Sequence, residues 1–169
     1  MREELDQQLC KKYPKIFADR HADMKETAMC WGFACGDGWY NIINALCGNI
    51  QQYTDWQNQN AAKGYKQYKP VPQLKAVQVK EKFGTLRFYS EGGDDHIFGM
   101  IRMAEAMSAV TCEECGAPGE QRHGGWIRTL CDDHEQERQR KMQERERKYE
   151  TRDSDTNYKF IHEDSGSHD

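Results

Sequence analysis

The sequence lacks any long hydrophobic segment. No stretch approaches the roughly 18 apolar residues that a transmembrane helix requires, and residues 1–17 contain no apolar core of signal-peptide length. The mean hydropathy is −1.03, which is low for a compact chain of 169 residues. We therefore expect no membrane partner and no signal peptide, and we expect a reduced, cytosolic compartment.

An excess of positive charge and several catalytic patterns are also missing. The chain has 24 Lys and Arg residues against 28 Asp and Glu residues, for a net charge of −4. This balance argues against non-specific nucleic-acid binding by the whole surface, although it leaves room for a local basic patch. The His-x-Glu and Pro-Cys-x-x-Cys elements of zinc deaminases are absent. His123 lies where a His-metal nuclease would have its catalytic segment, but the second free histidine and the asparagine of such a segment are missing. A metal-dependent nuclease or hydrolase is therefore the less favoured interpretation.

Cysteine, by contrast, is plentiful, and three of the seven cysteines follow a metal-binding pattern together with one histidine. Cys112 and Cys115 form a C-x2-C pair, and Cys131 and His134 form a C-x2-H pair after a further 15 residues. Structural zinc sites use four tetrahedral sulfur and nitrogen ligands at such spacings. Gly116 follows the first pair, where a zinc knuckle has to turn back. We therefore predict a structural zinc, and a closed four-ligand site leaves no open position for catalysis.

The other four cysteines are Cys10, Cys30, Cys35 and Cys47. Free cysteine is among the most frequently buried residue types, so we interpret these four as packing groups of the core. A second metal site is the alternative, in which Cys10, Cys47 or His21 would join Cys30 and Cys35.

Apolar residues at three- and four-residue steps predict two or three helices, which pack against a small antiparallel sheet in an α+β fold. A short helix occupies residues 1–13. The second helix runs from about Trp39 to about residue 60, with Asp37 as its N-cap. The third covers residues 96–110 and begins at an Asp95 cap.

Alternating residues between positions 75 and 90 predict the sheet itself. They indicate two antiparallel strands with Gly84 near the bend, or one bulged strand. The sheet is followed by a zinc knuckle, a hairpin and a helix that begins at the second ligand pair. This is the order of elements in a treble-clef zinc module. That helix is long and polar, and the charge pairs Glu137–Lys141 and Glu144–Lys148 support it.

These elements divide the chain into three parts. Residues 1–110 form an α+β core, and residues 111–150 form the zinc-binding module with its long polar helix. Residues 151–169 form an acidic tail, which we expect to be disordered because it lacks apolar periodicity.

Basic and aromatic residues interleave on the predicted strands. Lys80, Lys82 and Arg87 could bind phosphates while Tyr89 stacks on a base, as on sheets that bind single-stranded nucleic acid. Ordinary alternation of buried and exposed residues produces the same pattern, so a plain solvated face is the alternative.

A glycine-flanked turn, residues 35–39, opens the second helix. Backbone N–H groups at such a turn can hold an anion, and Trp39 would then offer a stacking surface for a nucleotide. We favour the alternative, in which Asp37 satisfies those N–H groups as a cap and Trp39 belongs to the core.

Four segments carry a resemblance to known proteins: residues 30–39, 78–89, 104–108 and 125–134. The first reads Cys-Trp-Gly-Phe-Ala-Cys-Gly-Asp-Gly-Trp, and the last reads Gly-Trp-Ile-Arg-Thr-Leu-Cys-Asp-Asp-His. Together they resemble a family of small tailed-bacteriophage and prophage proteins with a C-terminal, treble-clef-like zinc-binding module. The resemblance implies a phage accessory protein in the host bacterial cytoplasm, and such proteins often modify host machinery or block host defence.

We therefore predict a non-enzymatic phage accessory binding protein with a structural zinc. It would engage a host protein or a nucleotide-type signal, with counter-defence as one role. The alternative is a nucleic-acid-binding accessory protein that uses the basic-aromatic strand.

Overall fold

Four α-helices and two small sheets make up the described part of the chain, an α+β architecture. The computed structural model describes the backbone of residues 1–163 and the side chains of residues 1–148. Two compact units are distinguished, Met1–Cys131 and a second unit that begins at Asp132. None of the described helices combines the length and the apolar composition that crossing a membrane would require.

The helices are α1 (Glu3–Lys12), α2 (Tyr40–Ala62), α3 (Asp95–Ser108) and α4 (Asp132–Glu163), with short 3-10 helices at Ala28–Trp31 and Asp37–Trp39. The strands are β1 (Phe33–Ala34), β2 (Lys75–Lys82), β3 (Thr85–Glu91), β4 (Glu120–Arg122) and β5 (Arg128–Leu130).

The larger sheet has the order β1-β2-β3 and is mixed. The antiparallel pairing of β2 with β3 confirms the prediction for residues 75–90, and a register irregularity lies between Ala76 and Gln78. Strand β1 pairs in parallel with β2, with Phe33 opposite Val79. The expectation of a purely antiparallel sheet was therefore wrong, because a two-residue strand is too short to produce the alternation by which strands are recognised.

A tight two-residue turn joins β2 to β3. Both of its residues have positive backbone φ, +53° at Phe83 and +77° at Gly84. Hairpins favour such turns because their twist matches that of the flanking strands, although Asn or Asp is the usual residue at the first position. Gly84 therefore lies in the bend, as the sequence predicts, while Phe83 occupies an unusual position.

The core lies between the sheet and helices α2 and α3. Helix α2 buries Ile43, Leu46 and Ile50 on one face, as its periodicity predicts. In α3 the same spacing buries Ile97 and Ile101. Removing these side chains from water is the main favourable term in folding this region.

The caps of both helices differ from the prediction. The side chain of Asp94, rather than Asp95, caps α3 by accepting a hydrogen bond from the Ile97 N–H at 3.0 Å. No side chain caps α2, which continues from the 3-10 helix Asp37–Trp39. Asp37 does not act as an N-cap because it lies within that 3-10 helix, and its carboxylate is occupied by Arg2.

The second unit contains helix α4. Its predicted pair of Glu137 and Lys141 forms an ion pair with a separation of 2.6 Å. The helix continues through residues 151–163, for which the composition predicts disorder. The rest of that predicted tail, residues 164–169, lies outside the described residues.

Candidate metal centre and binding face

The four predicted metal ligands come together. Cys112 and Cys115 lie in the turn after α3, Cys131 directly follows β5, and His134 lies in the first turn of α4. Their ligand atoms all lie within 4.8 Å of one another. The predicted cluster of three cysteines and one histidine is therefore confirmed as a site that could hold a metal ion.

The spacing of the sulfur atoms fits a tetrahedral metal. Zinc–sulfur bonds of about 2.3 Å at tetrahedral angles place two sulfurs about 3.8 Å apart. The Sγ atoms of Cys115 and Cys131 are 3.9 Å apart. A disulfide would require about 2.05 Å, so these thiols are not a covalent pair, and their separation is compatible with a shared metal ion.

The local backbone prepares Cys112 to act as a thiolate. Its side chain is buried, and burial raises a thiol pKa, yet the pKa of Cys112 falls to about 7. Hydrogen bonds from the backbone N–H groups of Glu114, Cys115 and Cys131 outweigh the effect of burial because they stabilise the negative sulfur. A thiolate is the form that binds metal.

Three of the four cysteines outside the cluster differ from Cys112. Burial raises the pKa of Cys10 and of Cys35 to about 12, and it also raises the pKa of Cys47. No further cluster of three or more potential ligands occurs among the described residues. These findings favour the interpretation as packing groups over a second metal site.

The glycine-rich run before α2 packs directly against the knuckle that carries Cys112 and Cys115. The Gly38 N–H donates to the Glu113 carbonyl oxygen at 2.8 Å. A Cβ atom at Gly38 would lie 2.2 Å from the Cys112 carbonyl oxygen, so only glycine allows this approach. The run therefore supports the metal site, a role that its sequence does not reveal.

Two residues considered for ligand binding are already engaged in this run. Trp39 is completely buried, and its Nε1 donates to the Thr111 carbonyl oxygen at 2.9 Å. It offers no stacking surface and belongs to the core, as the favoured interpretation holds. The Asp37 carboxylate accepts hydrogen bonds from the backbone N–H and the Nε of Arg2, both at 2.7 Å.

Glu113 is a structural residue of the knuckle that sequence reasoning missed. Its buried carboxylate accepts from the Gly36 N–H at 3.0 Å and from the Arg128 guanidinium at 2.9 and 3.1 Å. Arg128 also pairs with Glu114 at 2.6 Å. Neither of the two consecutive glutamates carries a sequence signal that distinguishes the buried one from the exposed one.

The predicted basic and aromatic residues lie on one face of the sheet. Lys80 stands opposite Arg87 in the register, and Gln78 stands opposite Tyr89. Because side chains alternate along a strand, Lys82 shares the face of Lys80. The Lys80 ammonium lies 5.7 Å from the centre of the Tyr89 ring. Strand pairing thus brings the four predicted residues together.

Two exposed aromatic residues near this face were not predicted as site residues. Phe83 lies in the β2–β3 turn and is 67% exposed, and Trp126 lies between β4 and β5 and is 71% exposed. Only the preference of such turns for Asn or Asp marks Phe83 in the sequence, and no pattern marks Trp126.

Comparison with known proteins found no match to this chain among family models, curated proteins or solved structures. The resemblance to phage proteins therefore stays an expectation that rests on the four segments alone, and function has to be argued from the site itself.

Proposed function

We propose that this chain is a non-enzymatic binding protein that uses the basic-aromatic face of β2 and β3 to bind a nucleotide-type ligand. A structural zinc would hold the neighbouring knuckle and hairpin. The observation that carries the proposal is the strand register, which gathers Lys80, Lys82, Arg87 and Tyr89 on one face.

The zinc has a structural role in this proposal. Three sulfurs and one imidazole fill all four tetrahedral positions, so no site remains for a water or a substrate. The order of knuckle, hairpin β4–β5 and helix α4 agrees with a treble-clef module. The ion would stabilise a segment that buries few apolar side chains.

The charge of the face suits a phosphate ligand. It carries three cationic side chains in a chain whose net charge is −4, so attraction of a polyanion has to be local. Arg87 is held by hydrogen bonds to Thr85 Oγ1 at 2.6 Å and to the Leu86 carbonyl oxygen at 2.7 Å, which direct its guanidinium towards Thr85, the register partner of Lys82. Exposed aromatic rings stack on nucleobases irrespective of sequence.

Fluorescence anisotropy with single-stranded DNA, RNA, duplex DNA and a cyclic dinucleotide tests the proposal. Three phosphate contacts to a single strand predict a slope of about −2 in a plot of log affinity against log salt concentration. The double change Lys80→Ala and Arg87→Ala should abolish binding, whereas Lys66→Ala, which removes an exposed charge outside the sheet, should not. Failure of the wild-type protein to bind any probe would refute the proposal.

A protein partner is the second candidate, favoured by an apolar groove between α2 and α3. The groove has a volume of about 320 Å³ and is lined by Leu46, Met100, Met103 and Met107, among other residues. Met103 is 64% exposed, and flexible methionines adapt to partner surfaces. If the chain acts in phage infection, a host protein should be recovered together with it from infected cells. The Met103→Asp variant should no longer bind that host protein, whereas the Met24→Asp variant, which alters another exposed methionine, should still bind it.

A further inference from the structure

An open cleft of about 360 Å³ lies at the tip of the β2–β3 hairpin. Its lining includes Lys80, Lys82, Phe83, Trp126 and Ile127. Two basic residues, two exposed aromatic rings and the acidic Glu81 thus share one concave surface. The cleft adjoins the basic-aromatic face because Lys80 and Lys82 belong to both.

Phe83 holds a position that is unfavourable for its residue type. A positive φ of +53° is rare for a bulky residue and strains the backbone. The exposed ring contributes little to the core. Asn in this position would suit the turn better. A strained, solvent-facing aromatic residue beside two lysines points to a binding role.

The hairpin β4–β5 brings Trp126 to the same turn. The indole Nε1 donates to Glu81 Oε2 at 3.2 Å, while Glu81 Oε1 accepts from the Gly84 N–H at 2.7 Å. One carboxylate therefore connects Trp126 with the residue next to Phe83. Both Glu81 oxygens accept hydrogen bonds, which reduces the repulsion that this acidic side chain would exert on an anion.

The hairpin contacts this turn at two further points. The Thr129 hydroxyl donates to the Gly84 carbonyl oxygen at 2.5 Å, and Gln121 Nε2 donates to the Phe83 carbonyl oxygen at 3.3 Å. The hairpin itself lies between Cys115 and Cys131 in the chain. A metal bound to those residues would fix both ends of the segment that carries Trp126.

We propose that this cleft binds an unpaired base of a single-stranded nucleic acid, stacked against Trp126 and Phe83. Lys80, Lys82 and Arg87 bind the adjoining phosphates, and a second base stacks on Tyr89. Tyr89 stands opposite Gln78, four residues along β2 from Lys82. At about 3.3 Å per residue, the two ends of the proposed site are therefore roughly 13 Å apart. Two stacking surfaces separated by cations fit a polynucleotide rather than a mononucleotide. This inference rests on the proposed function of the basic-aromatic face.

The test uses the full chain loaded with zinc and two labelled single-stranded DNA probes of about ten nucleotides. The probes carry the same number of phosphates, but one bears thymine bases and the other is abasic. The wild-type protein should bind the thymine strand at least about fivefold more tightly. A mononucleotide should compete poorly.

Substitutions separate the cleft from the phosphate-binding face. Trp126→Ala should bring the affinity for the thymine strand close to that for the abasic strand, without loss of abasic binding. Trp31→Ala, which removes another highly exposed indole, should leave the preference unchanged. Phe83→Asn should weaken the preference while raising the melting temperature, so its effect cannot be ascribed to misfolding.

The outcomes distinguish the two proposals. If neither probe binds, the proposed function fails and the cleft proposal fails with it. If both probes bind equally to the wild-type protein, the basic face binds phosphates and the cleft proposal is overturned. Retention of the full base preference by Trp126→Ala, or efficient competition by a mononucleotide, would also overturn it.

Discussion

The apolar core and the knuckle segment, residues 111–131, hold their shapes by different means. The core buries large apolar side chains such as Ile43, Leu74 and Leu86 completely. The knuckle segment buries four side chains, and half of them are polar. The polar ones are Glu113 and Thr129, and the other two are Cys112 and Leu130. Burial of apolar area stabilises the core, whereas the knuckle segment depends on hydrogen bonds and, under the proposed function, on a bound metal. The two regions should therefore respond to different perturbations.

Removal of the metal should produce the largest difference in stability between the two regions. Cys115 is exposed, so Cys115→Ser loses little packing and its effect reports the ligand role. We expect the zinc content to fall from about one equivalent to near zero. We expect a stability loss of several kcal/mol. This loss is smaller than the roughly 10–16 kcal/mol of binding free energy with which zinc folds zinc-finger peptides. Elemental analysis and hydrogen exchange over residues 111–131 measure both effects.

The matched control for that substitution is Cys10→Ser. Cys10 is a half-buried thiol outside the cluster, and the pKa of its side chain is raised to about 12. The control should retain a full equivalent of metal. Full metal retention and unchanged stability in Cys115→Ser itself would contradict the assignment of the ligands.

Damage to the contact between the glycine-rich run and the knuckle should have an intermediate effect. Gly38→Ala introduces a Cβ 2.2 Å from the Cys112 carbonyl oxygen and 2.4 Å from the Gly116 nitrogen. Overpacking of this kind costs about 1–3 kcal/mol. The displaced knuckle should also release zinc to a chelator more readily. Thermal unfolding and chelator competition measure the two effects.

Gly99→Ala provides the comparison for that variant. A Cβ at this helical position meets only the end of the Arg102 side chain, at 3.8 Å. Alanine within a helix should stabilise the protein by up to about 1 kcal/mol and leave zinc release unchanged. Equal behaviour of the two variants would mean that the approach of Gly38 to the knuckle is unimportant.

Sequence reasoning succeeded where one periodic or spacing rule determines the structure. The periodicity from Trp39 to Tyr53 predicted α2, and the spacing of the cysteine pairs predicted the ligand cluster. It failed where distant segments meet. The pairing of Phe33 with Val79 and the hydrogen bond between Gly36 and Glu113 join residues that are 46 and 77 positions apart. Local patterns carry no information on such contacts.

The predicted caps at Asp37 and Asp95 show the same limit on a smaller scale. An aspartate before a helix predicts a cap, and both positions fit that rule. The neighbouring Asp94 caps α3 in place of Asp95, and Asp37 binds Arg2, which lies beside the entrance to α2. The rule identifies candidates, and tertiary contacts select among them.

The smallest predicted effect concerns the Arg2–Asp37 pair. The backbone N–H of Arg2, together with its side chain, lowers the pKa of Asp37 below its ordinary value of 3.8. A carboxyl whose pKa is lower in the folded state adds stability above the ordinary value and loses that stability as the pH falls through the folded value. Asp37→Asn should therefore cost less than about 1 kcal/mol at pH 7, because the Arg2 side chain is largely exposed, and nothing at the acid end.

Urea unfolding of the wild-type protein and of Asp37→Asn at several pH values between 7 and 3 measures this difference. The metal ligands also take up protons in acid, but they do so in both proteins, so the difference isolates the carboxyl. Asp55→Asn, which breaks the exposed pair with Lys15, shows the cost of losing an ordinary surface ion pair. A gap between wild type and Asp37→Asn that stays constant below pH 4 would show that Arg2 does not stabilise the ionised carboxylate.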